Sequence, residues 1–140
     1  MASGVYGAML NNSLKGNIDF DTDTFYGMLV TSGYTPDFDT HDFRNDVTNE
    51  VSGTGYTAGG AVTTVTVSAY DTVNNRQELI LGGFTLTTAT ITARGCAYYK
   101  RRGGASSADE LVYFDDFGSD VSSVAGNFVV NASTVRYANP

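Results

Sequence analysis

The chain has 140 residues, the usual length of one domain, and its 15 acidic and 8 basic residues give a formal net charge of −7. An acidic surface repels the phosphate backbone, so this charge argues against a nucleic-acid partner. Cys96 is the single cysteine, which excludes an intramolecular disulfide, and the sequence has no apolar run long enough for a membrane helix.

The composition favours strands and turns. Only 16% of the residues are charged, whereas the chain contains 16 Gly, 9 Tyr and 8 Phe. Aromatic and β-branched residues are enriched in strands, and glycine marks turns. We therefore predict an all-β fold, an antiparallel β-sandwich with jelly-roll-like topology, with a closed barrel as the alternative.

The first residues have no clear periodicity. Val5, Tyr6, Met9 and Leu10 can form one face of a short helix, but an arm that orders only against a neighbouring subunit is an equally good interpretation. We assign residues 1–14 to an extended N-terminal arm and residues 15–140 to a single β-sandwich domain. The start also lacks the basic residues and apolar segment of a signal peptide, so we expect synthesis in the cytoplasm.

Strands are predicted in order along the domain. Alternation and β-branched content indicate strands at 16–20, 24–31, 46–51, 62–70, 77–81, 84–100, 109–117, 127–131 and 133–137. The strand at 24–31 has apolar residues on both faces and should be covered on both sides. The strand at 84–100 is too long to stay flat and should bend near Thr87 and Thr88, with Ile91 and Tyr99 inside and Tyr98 outside. Residues 118–126 are predicted to form a long turn.

Alternating carboxylates at Asp19, Asp21 and Asp23 resemble the start of a calcium loop. The sixth and twelfth positions of such a loop require Gly and Glu, and here they are Thr24 and Val30. We therefore interpret the three aspartates as turn residues, and we predict no metal site and no cofactor.

His41, the only histidine, lies between Asp39 and Asp42 in a polar loop. No nucleophile or second histidine accompanies it, so we predict a capping or hydrogen-bonding role, no catalytic residues and no enzyme activity. A cap from Asp39 or Thr40 over a helical turn at 41–45 is predicted.

Half of the basic residues fall close together at Arg94, Lys100, Arg101 and Arg102, ahead of a glycine-rich loop. A contact with an acidic protein surface and a solvated loop are both compatible with this cluster. Nucleic acid is the least favoured partner, because the basic patch is small and the chain as a whole is acidic.

Several segments together are similar to one known family. They are residues 15–19, 29–37, 40–60, 89–94 with 97–100, and 111–120, so that the resemblance spans roughly residues 15–130. The chain resembles a family of small virion structural proteins of tailed phages and prophages. This resemblance implies a capsid decoration, or cement, protein that binds the outer surface of the major capsid protein shell and stabilises it.

The expected partners follow from that resemblance. They are the major capsid protein and the chain itself, as a homo-oligomer with a trimer favoured over a dimer, at the capsid surface of the virion and without nucleic acid or membrane. A structural tail or head-to-tail joint protein is the alternative, and a sugar-binding module is a third. The candidate contact residues are Tyr34, Asp37, Asp39, His41, Asp42, Arg44, Arg94, Lys100, Arg101 and Arg102.

Overall fold

The structure, a computed structural model, describes residues 2–139, which form two antiparallel sheets and one short α-helix. The elements are β1 (Gly4–Val5), α1 (Gly7–Leu14), β2 (Phe25–Val30), β3 (Ala61–Thr63), β4 (Val65–Val67), β5 (Arg76–Leu81), β6 (Phe84–Lys100), β7 (Leu111–Val130) and β8 (Ser133–Ala138), with 3₁₀ turns at Arg44–Asp46 and Ser106–Ala108. The large sheet has the order β1-β7-β6-β2-β3 and the small sheet the order β4-β5-β8. The all-β prediction is confirmed, and the jelly-roll topology stays a prediction.

The strands β6 and β7 form a long hairpin at the centre of the large sheet. Their pairing runs from Phe84 opposite Val130 to Tyr99 opposite Leu111, and its register shifts at several points. Phe117 and Phe128 lie on the same strand, yet their ring centroids are only 6.3 Å apart. A straight strand would separate residues this far apart in sequence by about 36 Å, so the hairpin bends sharply.

The bend lies where the sequence predicts it. Thr88 has a φ of 50°, and the β6–β7 register is interrupted between Leu86 and Ala89. A residue in the left-handed region breaks the straight path of a strand and redirects it, as a bulge does. The predicted break near Thr87 and Thr88 is therefore confirmed.

A second register shift, between Ala93 and Gly95, exchanges the two faces of β6. Ile91 and Ala93 pack in one apolar cluster before the shift, and Tyr98 packs in the same cluster after it, while Tyr99 points to the opposite side. An irregularity of this kind reverses the alternation of side chains. The prediction that Tyr98 lies outside is wrong, because this side chain is fully buried.

The first face of the large sheet is closed by apolar side chains from the small sheet and from α1. We call this the apolar face. Its buried residues are Met9, Ile18, Phe25, Leu29, Val51, Leu81, Ala89, Ile91, Ala93, Cys96, Tyr98, Val112, Phe128 and Val130. Because the cluster draws on both sheets, its burial supplies the hydrophobic driving force that joins them.

The opposite face is covered by part of the segment 31–60, which contains no strand of the two sheets; Val51 and Tyr56 of the same segment pack on the apolar face. We call the opposite face the loop-covered face. Its buried residues are Tyr6, Met28, Val30, Tyr34, Val47, Ala97, Tyr99, Leu111 and Phe114. Since β2 and β6 contribute to both clusters, the predicted two-sided burial of 24–31 is confirmed.

The segment 31–60 approaches the sheet most closely at its end. Gly60 has a φ of 88°, and a side chain there would overlap the carbonyl oxygen of Gly27 on β2. Glycine has no Cβ and adopts this backbone conformation without strain. The last residue of the glycine-rich stretch therefore allows the chain to turn directly into β3.

The N-terminal residues pack against their own chain. Gly4 and Val5 pair with Phe114 and Tyr113 of β7, and Tyr6 and Met9 are fully buried. The extended arm is thus not what residues 2–14 adopt. The alternative interpretation, a short helix, is present instead. It is held to the core because Met9, on one face of the helix, is buried.

Three other strand assignments differ from the sequence prediction. Residues 16–20 form turns, in which Asp19 accepts backbone N–H groups from Asp21 and Asp23. Residues 46–51 form only an isolated bridge at Glu50. The predicted strand 62–70 is divided between the two sheets, as β3 and β4.

The predicted long turn at 118–126 is part of β7. Serine and glycine in this stretch suggested a turn, but Val121, Ser122, Ser123 and Gly126 pair with β6. Backbone pairing outweighs the low strand preference of these residues, because strand propensity depends strongly on context.

Candidate functional site

Tyr34 holds the covering segment to the sheet. Its hydroxyl lies 2.8 Å from the hydroxyl of Tyr6 and 2.9 Å from Nδ1 of His41. Nδ1 also accepts the backbone N–H of Asp37 at 3.2 Å. Tyr34 is 1% exposed, so it packs inside the subunit and offers no surface for contact. The hydrogen-bonding role predicted for His41 agrees with these contacts.

The carboxylates of the same loop organise its backbone. Asp37 Oδ1 accepts the N–H groups of Asp39 and Thr40 at 3.0 and 3.1 Å. Asp46 Oδ2 accepts the N–H groups of Asp42 and Phe43 at 2.9 and 3.2 Å, so Asp46 caps the 3₁₀ turn that the sequence placed slightly earlier. Asp37, Asp39 and Asp42 are exposed at the surface of this loop.

The pKa values of Asp42 and Asp46 move in opposite directions. Burial raises the pKa of the Asp42 carboxyl, and the neighbouring Asp46 carboxylate raises it further. Burial also acts against ionised Asp46, but the two N–H groups that it accepts outweigh this effect and hold its pKa below the usual value. The loop therefore keeps Asp46 ionised because its hydrogen bonds stabilise the charged form.

The polar loop with Arg44 and the basic cluster with Arg102 meet around two buried carboxylates, Asp109 and Glu110. Arg44 Nε lies 2.8 Å from Asp109 Oδ2, and Asp109 Oδ1 accepts the backbone N–H of Arg102 at 2.9 Å. The Arg102 guanidinium donates to both oxygens of Glu110 at 2.7 Å. A bidentate pair of this kind is strong and fixes geometry. Arg44 and Arg102 thus join the loop, the hairpin end and the sheet.

Lys100 is also paired within the chain. Its Nζ lies 2.8 Å from Asp23 Oδ2 and 2.7 Å from the carbonyl oxygen of Asn17. Burial raises the pKa of Asp23, but the N–H of Asp19 and the Lys100 ammonium outweigh it and lower that pKa. Arg94 lies elsewhere on β6 and pairs with Asp116 at 2.9 Å.

Arg101 differs from the other predicted basic residues. Its guanidinium carbon lies 4.3 Å from the centroid of the Tyr26 ring, and among residues 2–139 it pairs with no carboxylate. Tyr26 pairs in register with Val62 on β3, and Val62 is 59% exposed. We call Arg101, Tyr26 and Val62 the Arg101 surface. It joins a free cation, an aromatic ring and an apolar side chain.

The Arg101 surface continues into a row of stacked side chains. The rings of Tyr26 and Tyr99 are 6.3 Å apart, and the Arg44 guanidinium lies 5.1 Å from the centroid of Tyr99. Cation–π contacts on this scale contribute about 0.5–1 kcal/mol each at exposed sites. The row holds Tyr26 in place, so Arg101 rests on an ordered support.

This region is built from ion pairs and stacked aromatic rings. Within the described part of the chain, no three His, Cys, Asp or Glu side chains are placed to hold a metal ion. The lowered pKa of Asp23 and its pairing with Lys100 assign this aspartate to the ion-pair network. The arrangement fixes the end of the large sheet and leaves Arg101 available for a partner.

Sequence reasoning identified the basic cluster but missed its partners. Asp109 and Glu110 are buried and lie across the hairpin loop from Arg101 and Arg102. Their position directly ahead of β7 could have predicted this pairing, because residues on both sides of a hairpin loop come close together. Tyr26 was predicted as an ordinary strand residue, and only the fold places Arg101 over it.

No helix within residues 2–139 is long and apolar enough to cross a membrane. No protein-family model, curated protein or solved structure matches the chain.

Proposed function

We propose that this protein is a phage capsid decoration protein that binds the outer surface of the major capsid protein shell and stabilises it. The observation that carries the proposal is the Arg101 surface. Three of the four basic residues at this end of the sheet, Arg44, Lys100 and Arg102, are paired internally, and Arg101 is left for a partner. A virion location and the jelly-roll-like sandwich belong to the same proposal.

The composition of the Arg101 surface supports a protein partner. Arg and Tyr are enriched among the residues that dominate protein–protein binding energy, and an apolar neighbour such as Val62 helps to exclude water. A cation without an internal partner is complementary to a carboxylate on the other protein. An acidic patch on the shell is therefore the expected counterpart.

The support beneath the surface suits a reinforcing role. Tyr26 belongs to β2, which is buried on both faces, and Arg101 follows directly on β6. A contact built on a rigid sheet is presented with less loss of conformational entropy than one on a free loop. Many copies on a symmetric shell add their modest contacts through multivalency.

The location is tested by counting this protein against the major capsid protein in purified particles. A near-equal or simple fractional ratio supports decoration of the shell. A few copies for several hundred capsid proteins would place it in the tail or the head-to-tail joint, and absence from the particle would overturn both virion assignments.

The surface is tested by charge reversal. Arg101→Glu should weaken binding to empty shells at least tenfold, which corresponds to about 1.4 kcal/mol, because it places a carboxylate against an acidic patch. Arg76→Glu makes the same change of charge at the start of β5 on the small sheet, where Arg76 Nε lies 4.0 Å from Asp71 Oδ2 and is no part of the Arg101 surface. Equal effects of the two substitutions would remove the Arg101 surface from the proposal.

A further inference from the structure

Helix α1 carries a leucine ridge on its outer side. Leu10 and Leu14 are four residues apart and so share one face of the helix. Leu10 is 48% and Leu14 89% exposed, while Met9 on the inner face is fully buried. Two neighbouring leucines in water are unfavourable, and a contact that covers them gains hydrophobic free energy.

An apolar groove lies beside this ridge. It has a volume of about 180 Å³ and is lined by Ser13, Phe20, Val67, Gln77, Glu78, Leu79 and Tyr137. Glu78 is the one charged residue in this lining, and it is paired with Arg136 at 2.9 Å. The groove therefore accepts an apolar side chain without leaving a free charge beneath it.

Ser13 lines the groove and lies on α1 between Leu10 and Leu14, so both parts of a self-complementary contact lie on neighbouring surfaces. In a twofold dimer, the same surface of each copy faces the other, and each ridge meets the partner's groove. Residues 2–14 contain no charged side chain, although the chain carries a net charge of −7. Two acidic copies can approach here with little repulsion.

Charges at the border of the surface are complementary as well. Lys15 directly follows Leu14 and forms no ion pair among residues 2–139. Asp19 and Asp21 line an adjoining hollow together with Ser13, Phe20 and Val67, and neither aspartate is paired with a cation in the described chain. A twofold contact can bring the lysine of one copy to the aspartates of the other.

We propose that a second copy of this chain docks on this surface, with Leu10 and Leu14 of each copy in the groove of the other and Lys15 facing Asp19 and Asp21. The result is a twofold dimer, in place of the trimer favoured from the sequence. The contact uses a different surface from Arg101 and stands independently of the capsid assignment.

The first test is the mass of the full-length protein by sedimentation equilibrium over a range of concentrations. The wild type should dimerise, and Leu14→Glu should weaken association at least tenfold. Val73→Glu introduces the same charge at an equally exposed valine, 87% exposed in the β4–β5 turn, and should leave the dimer intact. A monomeric wild type, or a dimer or trimer that persists in Leu14→Glu, overturns the proposal.

A charge swap tests the border contact separately from folding. Lys15→Glu should weaken the dimer several-fold, and adding Asp19→Lys and Asp21→Lys should restore it, because the swapped charges attract again. Circular dichroism should show the same fold in each variant. If the triple variant is no tighter than Lys15→Glu alone, the assigned orientation of the two copies is wrong.

Discussion

The two faces of the large sheet are covered in different ways. On the apolar face, side chains from regular strands and from α1 pack together, with Phe128 and Leu81 buried among them. On the loop-covered face, part of the segment 31–60 passes over the sheet and joins it only through isolated bridges such as Val30–Glu50, and tyrosine hydroxyls and carboxylates fix its path. Apolar side chains are thus buried on both sides of the sheet, and on the loop-covered face hydrogen bonds also fix the covering segment.

The comparison separates what each kind of contact contributes. Apolar burial is non-directional and scales with area, so the apolar face should dominate the free energy of unfolding. Buried hydrogen bonds add little net free energy but are costly to leave unmade, so they select one path for the covering segment. The apolar face stabilises the fold, and the polar contacts specify the shape of the loop-covered face.

The largest effect is expected from a cavity on the apolar face. Phe128→Ala should lower the free energy of unfolding by about 3–5 kcal/mol, because the lost burial adds to the cost of an unfilled space. Urea denaturation measures this change. Val73→Ala removes an exposed side chain and should change stability by less than about 0.5 kcal/mol. A loss at Phe128 as small as that at Val73 would mean that the apolar face is not the main source of stability.

An intermediate effect is expected from one hydroxyl on the loop-covered face. Tyr34→Phe keeps the ring but leaves the buried Tyr6 hydroxyl without its partner, which should cost about 1–2 kcal/mol. The same urea experiment applies, with limited proteolysis to detect loosening within residues 31–60. Tyr70→Phe is the matched control, since the Tyr70 hydroxyl accepts only a surface contact from Asn139. Equal losses in the two variants would show that the buried hydroxyl has no special role.

The smallest effect on stability is expected from the pH dependence of Asp46. The pKa of Asp46 is lowered in the folded chain, so its ionised form contributes stability above the unfolded value near 3.8, and this is lost as the pH falls through the folded pKa. Asp46→Asn should lower stability modestly at neutral pH and make it depend less steeply on pH below about 4. Asp120→Asn, at an exposed position on β7, should change stability at neutral pH by less than about 0.5 kcal/mol. Parallel profiles for the wild type and Asp46→Asn would contradict the expected role.

The sequence predicts the apolar face better than the loop-covered face. Alternation identified β2, β5 and β6, and it placed the bend of β6 correctly, because these features depend on residues close in sequence. The contact of Tyr6 with Tyr34 joins segments that no local pattern relates. The register shift that buries Tyr98 likewise depends on how β7 pairs with β6.

The candidate site was also predictable only where it depends on residues close in sequence. The clustering of Lys100, Arg101 and Arg102 is visible in the sequence. Which of the three remains unpaired depends on Asp23 and Glu110, brought in by folding. Charge composition thus located the region, and three-dimensional pairing singled out Arg101 within it.

The place of β1 beside β7 bears on the order in which the chain can fold during its synthesis. Gly4 and Val5 leave the ribosome well before their pairing partners, Phe114 and Tyr113. Until then the Tyr6 N–H lacks its partner, the carbonyl oxygen of Val112, and β6 lacks its longest partner strand. Closure of the fold therefore waits for segments that lie far apart in the sequence, as is typical of β-proteins dominated by non-local pairing.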